Sequence, residues 1–243
     1  MSDGLTARQI QILKSLIDEY IETAQAVGSE ALEKKYSLGV SPATVRNEMV
    51  ELTKSDYLRQ LHTSAGRVPT PKAIKFYIDQ LMEEKQMSVT EEVKAKEEVW
   101  DVRDDLDALM REATHSLAER TKNLAVATLD EGNVWHSGYS NVFLNPEFMD
   151  IRLTANVFSL LDEVRRIHEL FFERMTGDAP VEVIFGEELG WPNFDYISVC
   201  GTRFRIGQHE GAIGVVGPSR LSYPTVIPVV RYFRDLLQDI SNA

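Results

Sequence analysis

Ser41-Pro42 opens a segment whose next residues, Ala43, Thr44, Arg46 and Asn47, are of the types that can read a nucleic-acid groove. Serine caps the free amides of a helix start, and proline pre-sets φ at the first helical position. An asparagine can bond adenine bidentately, an arginine can bond guanine, and small apolar groups can touch a thymine methyl. The helix N-terminus itself favours phosphate. Val45, Met49 and Leu52 recur at spacings of four and three, so they share one face and would anchor the helix on a core. The opposite face holds Ala43, Asn47, Val50 and Lys54, with Thr44 and Arg46 on its flanks. A second polar group follows, with Arg59, His62, Thr63, Ser64 and Arg67 set around Gly66. Hydroxyls and backbone amides in such a loop can bond phosphate oxygens, while Arg67 supplies charge or reaches the minor groove.

These residues need a scaffold, and residues 1–82 provide the pattern of one. Thr6 with Gln9 fits a capping box, followed by an apolar stripe of Ile10, Leu13, Ile17, Tyr20 and Ala24. Val27-Gly28 breaks that helix. Ser29 is expected to cap a short second helix, Glu30 to Tyr36, with Ala31 and Leu32 facing inward. Leu38-Gly39-Val40 makes a tight turn, and the third helix should run from Ser41-Pro42 to about Ser55. Two short strands are expected within Leu58 to Val68, around the polar loop from His62 to Gly66. Pro69-Thr70-Pro71 then stops that unit, and a helix bearing Ile74, Tyr77, Ile78 and Leu81 follows. A short helix, a glycine turn and a capped helix read as a helix-turn-helix with a wing. The pattern alone also suits an ordinary helical bundle.

Residues 83–123 are helical and charged, with a capping box at Ser88 and Glu91. Their apolar stripe comprises Val99, Val102, Leu106, Leu109, Ala113 and Leu117. This segment is either a linker or dimer helix, or an amphipathic helix packed on its own domain. From 124 to 243 the types alternate. Strands are expected at Leu124–Leu129, Val134–Ser137, Val181–Phe185, Phe194–Val199, Arg203–Ile206 and Ala212–Val216, and helices at Ile151–Met175 and Tyr223–Ile240. The predicted fold is α+β: a winged helix-turn-helix, a long helix, and a regulatory or dimerisation domain with a mostly antiparallel sheet.

Composition narrows the function classes. The net charge of −12 is unevenly spread: residues 1–82 carry ten basic and ten acidic residues, leaving 16 basic and 28 acidic in residues 83–243. From Arg59 to Lys75 there are four basic residues and no acidic one. A local basic patch on a neutral domain can hold phosphate, while the acidic remainder discourages non-specific binding. No apolar run is long enough to span a membrane. The N-terminus does not read as a signal peptide. The lone Cys200 excludes an internal disulfide framework and reads as a buried small hydrophobe, so a cytoplasmic location is expected. The five histidines lack metal-ligand spacing. Gly211, Gly214 and Gly217 lie in a strand rather than a phosphate loop. Asp104-Asp105 and Glu187-Glu188 read as solvated acids, and no nucleophile–base–acid set is present. No cofactor, metal or enzymatic activity is expected. Trp135 and Trp191 read as packing residues or pocket lining. Arg220 with Tyr223 reads as either an interface or a structural bond.

The run Val27-Gly28-Ser29, then Leu38-Gly39-Val40-Ser41-Pro42-Ala43-Thr44-Val45-Arg46-Asn47-Glu48-Met49, closely resembles the heat-inducible transcription repressor family, HrcA. So does His62-Thr63-Ser64-Ala65-Gly66-Arg67-Val68-Pro69-Thr70. Three later stretches are also similar to that family: Gly138-Tyr139-Ser140-Asn141 with Pro146-Glu147-Phe148; Gly211 to Pro218; and Arg220 with Tyr223. The likeness covers residues 5–82 and roughly 134–240. It implies a winged helix, a GAF-like domain and an inserted dimerisation domain. It further implies repression of chaperone genes at an inverted-repeat operator on double-stranded DNA, by a homodimer that is released at high temperature and helped by the GroE chaperonin. The chain departs from the family in length: the stretch between the helix near 117 and Ser140 is too short for a GAF-like half plus the insertion. A ligand-sensing regulator, with the GAF-like domain binding a small molecule, is the alternative reading. A shortened relative working only as a protein-interaction module is a third.

Overall fold

The computed structural model describes residues 4–61 and 66–241, which form two compact units, Met1–Glu83 and Glu84–Ala243. In the first unit, α1 (Ala7–Thr23) starts at Thr6, whose hydroxyl accepts the Gln9 amide while the Gln9 side chain accepts the Thr6 amide at 2.9 Å. It stops at Ala24, which turns left-handed at φ 58°. Helix α2 (Ser29–Tyr36) differs slightly from expectation. Gly28 occupies the cap and Ser29 is already helical and buried; Leu32 faces the core, but Ala31 is exposed. Left-handed Ser37 (φ 47°) ends α2, and α3 (Pro42–Lys54) follows. Strands β1 (Leu58–Arg59) and β2 (Val68–Pro69) pair antiparallel, and Thr70 caps α4 (Pro71–Gln80). The core joins Leu13, Leu16 and Ile17 to Leu32, Val45, Leu52 and Ile74. The Tyr77 hydroxyl donates to Asp18 at 2.7 Å across that core, and its burial pushes the phenol pKa well up.

The second unit begins with α5 (Val89–Trp100) and α6 (Leu106–Thr121), so residues 88–123 are not one long helix. The apolar stripe runs through the break, which hides it from periodicity. The break itself is set by Asp105, whose carboxylate accepts the Asp107 and Ala108 amides and starts a new helix. Both helices belong to this unit. Arg120 of α6 pairs with Glu98 of α5 at 3.0 Å, and Leu109, Ala113 and Leu117 are fully buried.

Five strands follow: β3 (Leu124–Leu129), β4 (Val134–Ser137), β5 (Glu182–Phe185), β6 (Ile197–Ile206) and β7 (His209–Pro218). They form one sheet in the order β4-β3-β7-β6-β5, with every neighbouring pair antiparallel. Of the two strands expected at 194–199 and 203–206, Phe194 to Tyr196 form a turn instead, and the rest belongs to the single strand β6, which runs straight through Gly201. Helices α6 and α11 (Tyr223–Ser241) pack on one face of the sheet. On the other, Leu124, Val126, Val199, Ala212 and Val216 meet Val157, Leu160, Leu170 and Phe171. With both faces covered, β3 is buried at every residue, which accounts for its unbroken apolar run. Gly201 pairs with Gly214, and a side chain at Gly201 would come within 2.8 Å of the Phe171 ring. The glycine pair is a notch that admits an aromatic ring, as close packing rather than a phosphate loop requires. The resulting GAF-like α+β unit agrees with the predicted fold class.

The expected helix 151–175 is also interrupted. It comprises α8 (Ile151–Asp162), α9 (Val164–His168) and a π-helical turn at Glu169–Arg174, which bends the apolar face round the sheet. Between β4 and α8 lie α7 (Tyr139–Val142) and a 3-10 turn (Pro146–Met149); α10 (Gly186–Leu189) follows β5. Glu188 accepts the Phe185 amide at 3.1 Å and closes the start of α10 rather than simply facing solvent. Gly138 sits at φ 88°, where a side chain would strike the Asn123 carbonyl at 2.5 Å. Asn141 donates to the Ala118 and Asn123 carbonyls at 3.2 and 3.1 Å, beyond left-handed Lys122 (φ 54°) at the end of α6.

The Arg220 and Tyr223 pair is structural. Arg220 grips Glu147 through two hydrogen bonds of 2.6 and 3.0 Å, and Tyr223 donates to the Ser219 carbonyl at 2.8 Å. Trp135 packs at 8% exposure and donates to Asp107 at 2.8 Å; Trp191 stands edge-on to Phe194 at 5.3 Å. Cys200 is fully buried, and burial pushes its thiol pKa up.

Two stability predictions follow from these pairs. The Arg220 and Glu147 side chains are only 11% and 19% exposed. Arg220→Ala strands the carboxylate and should cost about 3 kcal/mol in a urea melt, whereas Arg220→Met with Glu147→Leu should recover most of it. Arg231 donates to Glu84 at 2.7 and 2.9 Å and holds that carboxyl below the usual carboxylate range. A lowered folded pKa gives stability that is full above the ordinary carboxylate value and disappears as pH falls through the folded one. Arg231→Met should therefore lower Tm at neutral pH and converge with the parent as pH falls below the ordinary carboxylate range and through the lowered folded pKa.

Candidate nucleic-acid interface

The rotation of α3 is fixed by what it buries. Val45, Met49 and Leu52 are at most 4% exposed and pack against α1 and α2. That leaves Ala43, Arg46 and Asn47 exposed and Thr44 half-buried on the outer side. Ser41 caps the helix as its residue type predicts, accepting the Thr44 amide at 3.2 Å, and lies 3.1 Å from the Thr44 hydroxyl. Gly39, at φ 70°, makes the turn that brings α3 round after α2. With Pro42 lacking an N–H and the Thr44 amide taken by Ser41, the N-terminal end of α3 presents a hydroxyl, a guanidinium and a carboxamide to solvent.

Electrostatics separate Arg46 from its basic neighbours. Lys54 pairs with Glu51 at 2.7 Å, and Lys35 is held between Glu19 and Glu22 at 2.6 and 2.7 Å. Among the described residues Arg46 has no such partner, so its charge is available outward. Arg8, which sequence reasoning passed over, stands 3.5 Å from Glu48. It offsets the carboxylate that follows Asn47 in the sequence. Its signal in the sequence was faint: a lone arginine in the first turn of α1.

Arg67 is more tethered than expected. Its backbone forms a two-way bridge with Val27, both hydrogen bonds 2.9 Å, and its Nε donates to Thr53 at 3.1 Å. The base of the wing is thereby tied both to the α1–α2 connection and to the end of α3. Gly66 fits that role: a Cβ there would meet the Val27 carbonyl oxygen at 2.4 Å, so close backbone approach demands glycine. Lys72 donates to the Ser55 carbonyl at 3.0 Å and lies 4.2 Å from the Tyr57 ring centroid. The basic run from Arg59 to Lys75 is therefore partly spent on holding the wing together. His62, Thr63 and Ser64 lie outside the described residues. The structure brings Ser41, Thr44, Arg46 and Asn47 together on one helix end and seats Arg67 beside that helix's far end.

Comparisons with known proteins place these features in a family. The family model described as "HrcA protein C terminal domain" matches residues 40–227, well over half the chain. A heat-inducible transcription repressor HrcA of Roseiflexus castenholzii is 26% identical over 343 aligned positions, covering 99% of this chain and 95% of the relative. Because this chain has 243 residues, at least 100 of those positions hold none of its residues. The protein of the same name from Thermomicrobium roseum is 43% identical over 173 residues, covering 71% of this chain and 48% of the relative. A solved structure titled as that of a hypothetical protein superposes with a TM-score of 0.73 at 17% identity, covering 98% of both chains, and supports the fold. With its family-model match spanning both the α3 region and the sheet unit, the chain belongs to the HrcA family.

Proposed function

We propose that this chain is a sequence-specific DNA-binding repressor of heat-shock (chaperone) genes, with no catalytic role. It binds an inverted-repeat operator on double-stranded DNA as a homodimer and is released at high temperature. The observation that carries this reading is the exposed N-terminal end of α3, where Arg46 and Asn47 stand outward from a helix anchored by Val45, Met49 and Leu52. The names of the relatives support a repressor over a ligand sensor.

The mechanism is occupancy. Arg46, Asn47 and Thr44 read base edges in the major groove, with Ala43 near enough for a thymine methyl. The positive N-terminal end of α3 faces a phosphate. Thr63, Ser64, His62 and Arg67 hold the wing on the backbone and fix register without reading sequence. A two-fold dimer presents two such helices to half-sites spaced to match it, which is why the operator is an inverted repeat. Heat weakens the dimer and DNA affinity falls with it, because binding two half-sites at once depends on assembly. The GroE chaperonin is the proposed partner that returns unfolded repressor to the active state. Among the described residues no helix is long and apolar enough to cross a membrane, and the proposed place of action is the cytoplasm.

Selection of bound duplexes from a random library, at low and at high temperature, tests the whole reading. The expected product is an inverted repeat recovered only at low temperature. Recovery of no common sequence would sink the repressor reading, and equal recovery when hot would sink thermal release. On the selected operator, Asn47→Ala should lose about 1–3 kcal/mol of discrimination at one base position per half-site. Arg67→Ala should weaken all sequences alike and flatten the salt slope by about 0.9 per lost contact. Wild-type binding by both variants would show that these contacts are misassigned.

A further inference from the structure

We infer that the surface formed by residues 139–151 is where two copies of this chain meet, an inference that rests on the homodimeric reading above. Residues 132–146 contain no Asp, Glu, Lys or Arg, although 26% of the chain is charged. Over the same stretch and just beyond it, large apolar side chains stand in solvent. Tyr139 is 43% exposed, Phe143 51%, Leu144 67%, Met149 65% and Ile151 83%. Taking roughly 150–200 Å² for each large side chain, the five expose about 500 Å². Summed over the segment, that is within reach of the roughly 800 Å² per partner of a stable dimer.

The surface is built, not frayed. Val142 and Phe148 point inward at 2% exposure and anchor the segment from below. Asn141 fastens it to the end of α6, and Arg220 clamps Glu147 beside it. The Tyr139 and Phe143 rings lean on Phe158 at 5.8 and 6.2 Å, making a continuous aromatic strip. A rigid apolar surface loses little entropy on association.

Charge selects the occupant. Residues 83–243 carry 16 basic and 28 acidic residues, so two copies repel over most of this region. Through the uncharged window they can approach without burying carboxylates against one another. A basic protein would find its counter-charges elsewhere on the surface, and a nucleic acid finds no cation within residues 132–146. The two acids within 139–151 are both occupied: Glu147 is clamped by Arg220, and Asp150 accepts the Arg152 and Leu153 amides and lies 3.8 Å from the Arg152 guanidinium. A second copy brings the same apolar face, as an isologous two-fold contact requires.

Sedimentation of the full chain, with and without Phe143→Glu plus Leu144→Glu, tests this. The wild type should be a dimer, and the double variant should associate at least about 100-fold more weakly while its thermal melt stays cooperative. Ile151→Glu alone should weaken association about tenfold. Val89→Glu, at a residue 75% exposed on α5, should leave the dimer intact. A monomeric wild type, or a dimer unmoved by the variants on 139–151, overturns the inference. The repressor reading fails separately. If the wild type selects no operator but dimerises through this surface, the surface stands without that function; if it binds an inverted repeat as a dimer indifferent to these variants, the function stands without the surface.

Discussion

Burial of Val45, Met49 and Leu52 is the constraint on which the first unit depends. A helix can satisfy only one stripe, so sinking these three dictates which residues of α3 face out. The cap at Ser41 fixes where the helix begins, and Pro42 fixes its first φ. Together they set both rotation and start, and the outward positions of Arg46 and Asn47 follow without further contacts. The wing obeys the same logic by different means. Its base is a backbone bridge between Val27 and Arg67, tight enough that only glycine fits at position 66. Rigid supports under short polar side chains are what groove reading requires, because discrimination between bases depends on sub-ångström placement of donors and acceptors.

The second unit is organised by a sheet covered on both faces. Layers of α6 with α11, and of α8 with α9, leave its central strands no exposed side, so β3 is buried throughout and β7 is buried from Gly211 onward. Close approach of the layers is met by the Gly201–Gly214 notch, and the segment from β4 to α8 is fixed by Asn141 and Glu147. The stretches that resembled the family in this half of the sequence thus hold the architecture together.

Much of this was legible in the sequence where a local cause acts alone. Thr6 with Gln9, Ser41-Pro42, and the strands Leu124–Leu129 and Val134–Ser137 match the structure residue for residue, because capping residues and a short apolar run closed by an Asp-Glu-Gly-Asn turn are written in neighbours. The outward face of α3 was legible too. The break at 101–105 was not, since its apolar stripe continues in step and the capping role of Asp105 looks like another surface acid. Nor was the bend in 151–175, which arises from wrapping around a sheet assembled from distant strands. The tethering of Arg67 by Thr53, and the pairing of Arg8 with Glu48, bring together residues 14 and 40 positions apart and leave no local signature.

Three helices, α1, α2 and α6, end on Ala24, Ser37 and Lys122 in the left-handed conformation that glycine adopts at no steric cost. Each L-residue there costs the folded state roughly 1–2 kcal/mol. The strain is carried by the backbone of helix ends: Ser37 precedes the turn into α3, and Lys122 adjoins the Asn123 carbonyl that Asn141 grips, while the outward side chains of α3 take no part in it. For the thermally released repressor proposed above, such termini form a row of independent trimming screws. Exchanging one residue type for glycine or asparagine would move the temperature of collapse by a few degrees while operator recognition stayed as it is, so lineages living at different temperatures could retune the sensor without redesigning what it senses for.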